Sequence, residues 1–166
     1  MKKKFLLPGS ERGQSLVELA ISLVILLYLL SGAVEFGIAL FQYVQLRDAA
    51  QEGALFGSIK PQDLAAIETR ARASSENPID LAPGAANPAT VKIYVDDNLV
   101  SENGIITAQG ANTTWMQQNA CESHALKVEV SFKHHIFMAF MPQILKLTDI
   151  DLKAEVTDTI LTPLCT

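Results

Sequence analysis

Few residues of this chain combine the types and the spacing that chemistry would need. One cysteine and three histidines cluster in the C-terminal half: Cys121, His124, His134 and His135. Structural zinc sites normally close with four suitably spaced nitrogen or sulfur ligands. Adjacent histidines on a strand point to opposite faces, and a cysteine in an oxidising compartment favours a disulfide. We therefore predict no metal site.

Signatures of catalysis are also missing from the sequence. It contains no glycine-rich phosphate loop, no Gly-x-Ser-x-Gly elbow and no His-Glu-x-x-His pair. Each of these motifs would place a nucleophile, a general base or a phosphate-binding backbone at a fixed position. Without them, we predict a protein that is not an enzyme and has neither catalytic residues nor a cofactor.

The most specific pattern is a glycine followed five positions later by a glutamate. Gly13 and Glu18 lie between a short basic segment and sixteen uncharged residues, 19–34. A charge at the centre of a bilayer costs on the order of 3 kcal/mol, so a simple membrane anchor would not carry Glu18. No other glycine in the first sixty residues has an acid five positions later. The register of the pattern is therefore unambiguous.

The uncharged run predicts a helix that crosses a membrane. Sixteen residues rise about 24 Å, and flanking apolar residues extend the segment to the roughly 30 Å of a bilayer core. Residues 1–13 carry a side-chain charge of +3, so with a chain total of −5 the remainder carries −8. The positive-inside rule then predicts a cytoplasmic N-terminus and an exported C-terminal domain. The acidity of that domain argues against nucleic-acid binding.

This arrangement resembles the processing site of type IV pilins and pseudopilins, in which a prepilin peptidase cuts after the glycine. The resemblance implies that residues 1–13 are a leader and that Gln14 becomes the mature N-terminus. Gly13 would supply a small, flexible residue just before the helix begins. The resemblance also implies that the new amine, often N-methylated, meets Glu18 during assembly.

The continuation of the helix sharpens the resemblance. Glu35–Gly37, Ala49–Ala54 and Phe56–Gly57 are similar to segments of the TadE family of minor pseudopilins, and the similarity covers the first 58 residues. It implies a structural component in assembly of a tight-adherence (Flp, type IVc) pilus for surface adherence or secretion. The implied partners are the prepilin peptidase, other pilins or pseudopilins, and pilus platform proteins. The implied location is the cytoplasmic membrane or a cell-surface pilus.

Two alternatives stay open at the level of sequence. A pilin or pseudopilin of another type IV-like system would share the processing site. A single-pass or secreted binding protein without a filament role would be left uncut or would be cut as an ordinary signal peptide, here at Val34. The signal-peptide reading leaves Gly13 and Glu18 unexplained.

The remaining elements predict an α+β fold, in which the long helix carries a small exported antiparallel sheet. No proline interrupts residues 14–58, so the helix should continue beyond the membrane. Ala49, Gly53 and Gly57 recur every four residues and form a small-residue stripe that allows close backbone packing. We favour packing of this stripe on the protein's own domain over a contact with another subunit.

Residues 59–90 and 91–166 complete the predicted domain organisation. The first range should hold a short amphipathic helix over 62–75, opened by Pro61, and then an irregular connector. In the second range, alternating patterns predict strands over 91–95, 125–133 and 149–157. Residues 98–120 are typical of loops, and 134–147 suggest a long crossover with a helical turn. The residues expected on the buried face of the last two strands are Leu126, Val128, Val130, Phe132, Ile150, Leu152, Ala154 and Val156.

The two cysteines, Cys121 and Cys165, are both on the predicted exported side. If the strands over 125–133 and 149–157 pair antiparallel, their ends bring these two cysteines to the same edge of the sheet. Disulfides persist in oxidising compartments. We therefore predict a Cys121–Cys165 disulfide.

Overall fold

A computed structural model describes residues 11–74, 79, 81–85, 87–138, 146 and 148–162. Its helices and strands, in chain order, are α1 (Glu11–Ile59), α2 (Leu64–Ala73), β1 (Thr90–Val95), β2 (Asn98–Glu102), β3 (Ile105–Ile106), α3 (Ala108–Ala111), α4 (Thr113–Asn119), β4 (Ala125–His135) and β5 (Asp149–Thr159). One long helix therefore precedes a small sheet. The predicted α+β class is confirmed.

The five strands form one antiparallel sheet in the order β3-β2-β1-β4-β5. Two-residue turns join β1 to β2 at Asp96–Asp97 and β2 to β3 at Asn103–Gly104. All four turn residues have positive φ, at 45°, 63°, 49° and 76°. Tight hairpins require this conformation, which asparagine, aspartate and glycine adopt most readily. The residues of these two turns thus fix how β1, β2 and β3 align with one another.

The core lies between one face of the sheet and the C-terminal half of α1, with α2 beside it. Along β1 and β4, alternate side chains are buried, as a half-buried antiparallel strand requires. Alanines and one leucine supply the α1 side of the core: Leu46, Ala49, Ala50 and Ala54, none of which has exposed surface. Small side chains bring the helix axis close to the sheet.

The prediction of a loop over 98–120 is wrong. This region contains β2, β3, α3 and α4. The strands are short, and a two-residue β3 has no alternation that a sequence pattern can reveal. The two helices begin at polar caps, where the Thr107 hydroxyl accepts from the Gly110 N–H and the Asn112 side chain accepts from the Trp115 N–H.

Element boundaries also differ from those predicted. Helix α2 begins at Leu64, because the Asp63 side chain caps it by accepting from the Ala66 N–H. Strand β4 extends through His134 and His135, which were expected in a crossover. Residues 139–145 and 147 of that crossover lie outside the described residues. Since β4 and β5 are antiparallel neighbours, the chain returns directly to the adjacent strand.

The predicted buried face of β4 and β5 is confirmed at the centre of the two strands, but the prediction is wrong at the start of β5. Leu126, Val128 and Val130 are fully buried, and Ala154 is buried opposite them. Ile150, however, is 40% exposed. It lies near the start of β5, which is the edge strand of the sheet in the described part of the chain.

Candidate functional site

The N-terminal half of α1 exposes its large apolar side chains. The helix is long enough and apolar enough to cross a membrane, and nothing in its most apolar window is buried by the rest of the protein. The exposed large apolar residues between 16 and 30 are Leu16, Val17, Leu19, Ile21, Leu23, Val24, Ile25, Leu26, Leu27, Leu29 and Leu30. An apolar surface of this extent marks a contact with a membrane or with other proteins.

Gln14 and Glu18 contact each other at the start of this surface. The Gln14 Nε2 donates to the Glu18 Oε1 at 3.3 Å, as the i, i+4 spacing on a helix allows. The helix begins at Glu11 rather than after Gly13, so the predicted cleavage site lies within helical structure. The space around Gly13 is open, with no atom within 4 Å of a Cβ built at that position.

A polar cluster of three side chains, which sequence reasoning missed, lies where α1 passes from exposed to buried. His134 on β4 is 1% exposed. Its Nε2 donates to the Glu35 Oε1 at 2.9 Å, and its Nδ1 lies 2.6 Å from the Gln42 Oε1. The backbone N–H of Phe137 also donates to the Glu35 Oε1, at 3.1 Å. The Glu35 carboxylate thus fastens the end of β4 to α1.

One sequence signal could have revealed this cluster. Glu35 and Gln42 are seven residues apart, which places them on the same face of a helix two turns apart. They are polar residues in an otherwise apolar stretch, and their common face must meet something polar. Their partner, His134, is remote in sequence, so its identity requires the structure.

The small-residue stripe packs on the protein's own domain, as predicted. A Cβ added at Gly53 would lie 3.1 Å from the Ala71 Cβ of α2. A Cβ added at Gly57 would lie 2.7 Å from the Leu126 Cδ2 of β4, closer than real side chains approach. Glycine at these two positions lets α1 lie directly against both α2 and the sheet.

Arg72 of α2 holds the connector and the second hairpin together. Its Nε donates to Glu68 at 2.7 Å, and its terminal nitrogens donate to the Leu81 carbonyl oxygen at 2.5 Å and to the Asn103 side chain at 3.0 Å. The Arg72 and Glu68 side chains are nearly buried. Removing one partner of a buried ion pair leaves the other charge uncompensated, so this network has a structural role.

The three histidines lie at separate places and do not form one site. Their carboxylate partners are Asp96 for His124, Glu35 for His134 and Asp149 for His135. Histidines 134 and 135 point to opposite faces, as predicted, with one buried and the other exposed. Within the described part of the chain, no three histidine, cysteine, aspartate or glutamate residues are grouped to hold a metal ion.

The region around Cys121 has the geometry on which the disulfide prediction depends. Strands β4 and β5 are antiparallel, with Ala125 opposite Thr159. Beyond that pair the Ile160 N–H donates to the His124 carbonyl oxygen at 2.9 Å. Cys121 is buried, but Cys165 lies outside the described residues. The pairing stays a prediction, which thiol labelling of the unreduced, denatured protein would test.

The family match found for the chain lies within α1. Residues 13–55 match the family model for TadE-like protein. The TadE-like segment begins at the predicted cleavage residue, contains the Gln14–Glu18 contact and includes both Glu35 and Gln42. It covers about a quarter of the chain, all of it within α1. No curated protein and no solved structure matches the chain.

Proposed function

We propose that this chain is a TadE-like minor pseudopilin, a structural component in assembly of a tight-adherence pilus. The observation that carries the proposal is the family match over residues 13–55, the segment that holds the exposed apolar half of α1. A prepilin peptidase cleaves after Gly13. The apolar half of α1 then remains in the cytoplasmic membrane until it packs against the helices of other pilins.

Glu18 gives this half of the helix its role in assembly. Cleavage creates a positively charged amine on Gln14, one helical turn from the Glu18 carboxylate, and the existing Gln14–Glu18 contact supports this proximity. Among packed apolar helices, an unpaired carboxylate would be strongly unfavourable. Pairing of the Glu18 carboxylate with this amine, within the subunit or on the next one, removes that penalty. It also selects the correct position of each subunit along the pilus axis.

The sheet domain lies on the extracytoplasmic side. The basic residues before Gly13 hold the N-terminus in the cytoplasm, and the remainder of the chain is acidic. One face of the C-terminal half of α1 is buried against the domain, so we expect the domain and the helix to move as one unit. The domain therefore follows the helix from the membrane into the pilus.

A glutamate substitution tests this role in assembly. We expect Glu18→Ala to insert into the membrane and to be cleaved, but to reduce pilus formation severely, because losing about 1.4 kcal/mol per contact lowers an association constant tenfold. The matched control is Glu52→Ala on the same helix, since Glu52 is exposed and lies 3.9 Å from Arg70. Pili are counted by electron microscopy, and normal numbers in Glu18→Ala cells would contradict the proposal.

A further inference from the structure

The end of β4 lies against the apolar half of α1. We call residues Ile136–Met138, which follow β4 directly, the β4 tip. The Met138 Cε lies 3.1 Å from the position that a Cβ on Gly32 would occupy. The Phe137 N–H donates to Glu35. Since the uncharged run of the helix ends at residue 34, the β4 tip lies beside the last turns of that run.

The position of these turns in a bilayer follows from helix geometry. With Glu18 at the cytoplasmic edge, a hydrocarbon core of roughly 30 Å requires about 20 residues of helix and extends to about residue 38. Gly32 and Glu35 then lie within the outer leaflet. A carboxylate at this depth is costly, and Glu35 avoids part of that cost because His134 and Phe137 donate hydrogen bonds to it.

Backbone polar groups in lipid require internal partners, and two N–H groups of the β4 tip have them. The Ile136 N–H donates to the Thr148 carbonyl oxygen at 3.0 Å, and the Phe137 N–H donates to Glu35. The Phe137 side chain, in contrast, is 73% exposed. A large aromatic ring is therefore presented outward by a residue whose own N–H group already has an internal partner.

The sequence that includes and follows the β4 tip is also uncharged and is flanked by lysines. Residues 136–145 include no charged residue, while Lys133 precedes them and Lys146 follows. Lysines beside an apolar segment extend their ammonium groups to the membrane surface. Lys133 is exposed.

We propose that the β4 tip enters the outer leaflet of the membrane beside α1, with Phe137 in contact with lipid. The buried Met138 packs beside Gly32, which places the exposed Phe137 next to the apolar half of the helix, and this proximity favours lipid as the occupant. The inference rests on the membrane insertion proposed above. It gives the domain a second contact with lipid, which fixes its orientation before assembly and must be broken when the subunit leaves the membrane.

Tryptophan quenching by brominated lipids tests this contact on the full chain. Three variants are compared in a Trp115→Phe background: Phe137→Trp at the tip, Ile105→Trp on β3 and Val24→Trp in the helix. Ile105 is a matched control because it is 74% exposed and lies on the strand at the opposite edge of the sheet from β5. Each is reconstituted into phosphatidylcholine vesicles whose acyl chains are brominated near the head group.

We expect Phe137→Trp to lose about half of its fluorescence and to emit at shorter wavelength, as tryptophan does at a membrane interface. Ile105→Trp should be unaffected, and Val24→Trp should be quenched. If Val24→Trp is quenched but Phe137→Trp behaves like Ile105→Trp, the tip inference is overturned while membrane insertion stands. If Val24→Trp is not quenched either, both are overturned.

Discussion

The two halves of α1 use the same helical backbone in opposite ways. The N-terminal half exposes leucine, isoleucine and valine side chains, and the described chain buries no residue of its most apolar window. The C-terminal half buries alanines and glycines against α2 and β4. Large side chains suit an environment that adapts to them, such as lipid, whereas small ones suit close packing on a fixed surface. The C-terminal half still exposes large apolar side chains such as Phe36, Phe41 and Leu55 on its other face, so the halves differ in the face that packs on the domain.

Glycines along α1 differ in how closely other elements approach them. Gly13 and Gly37 have open space around them, Gly32 lies near Met138, and Gly53 and Gly57 are within contact distance of side chains from other elements. The boundary between the halves is marked by Glu35 and its hydrogen-bond partners. Substitutions in each half and at the boundary should therefore differ in effect.

The largest effect is expected at the boundary. Glu35→Ala removes the acceptor for His134, which is buried, and for the Phe137 N–H. A buried donor without a partner costs about 1–3 kcal/mol, so we expect the free energy of unfolding to fall by about 3 kcal/mol. Urea unfolding in detergent micelles measures this, with the exposed Glu52→Ala as the control. Equal stability of the two variants would mean that the cluster does not fasten β4 to α1.

A smaller effect is expected from overpacking the buried half. Gly57→Val places a Cβ 2.7 Å from the Leu126 Cδ2, and overpacked cores lose about 1–3 kcal/mol. We expect a loss of about 2 kcal/mol by the same assay. Gly37→Val is the matched control, because nothing lies within 4 Å of its Cβ position. Equal stability of the two variants would mean that close packing at Gly57 does not limit the size of the side chain there.

The smallest effect is expected outside α1, at Asp96 in the turn between β1 and β2. Burial raises the pKa of this carboxyl, but hydrogen bonds from His124 and from the Ala125 N–H outweigh it, and the pKa lies below its usual range. Such a group contributes stability above its unfolded pKa, about 3.9, and loses that contribution as the pH falls through the folded pKa.

Asp96→Asn keeps a residue that tolerates the positive φ of this turn. Since the contact is partly exposed, we expect the variant to lose less than about 1 kcal/mol at neutral pH. The difference from the wild type should shrink as the pH falls below about 4. Unfolding curves at a series of pH values measure this, and a difference that does not change with pH would contradict the assignment.

Sequence patterns revealed the elements whose signal is long and repetitive. The apolar run of α1 and the alternation in β4 and β5 extend over many residues, so their types were predictable. The hairpin at Asn103–Gly104 was missed, although this dipeptide is a strong turn signal, because the strands beside it are short. The spacing of Glu35 and Gln42 indicates a polar face, but the partner of Glu35 could not be predicted, since it lies 99 residues away and only the folded chain brings the two together.

The most direct test of the central claim is the intact mass of the protein purified from the membrane. A chain that begins at Gln14, without the thirteen residues before it, is the result that processing of a TadE-like pseudopilin predicts. Gly13→Leu should retain the full-length mass, because the larger side chain blocks cleavage at that bond. A wild-type chain that begins at Val34, or at Met1 or Lys2, would contradict the account.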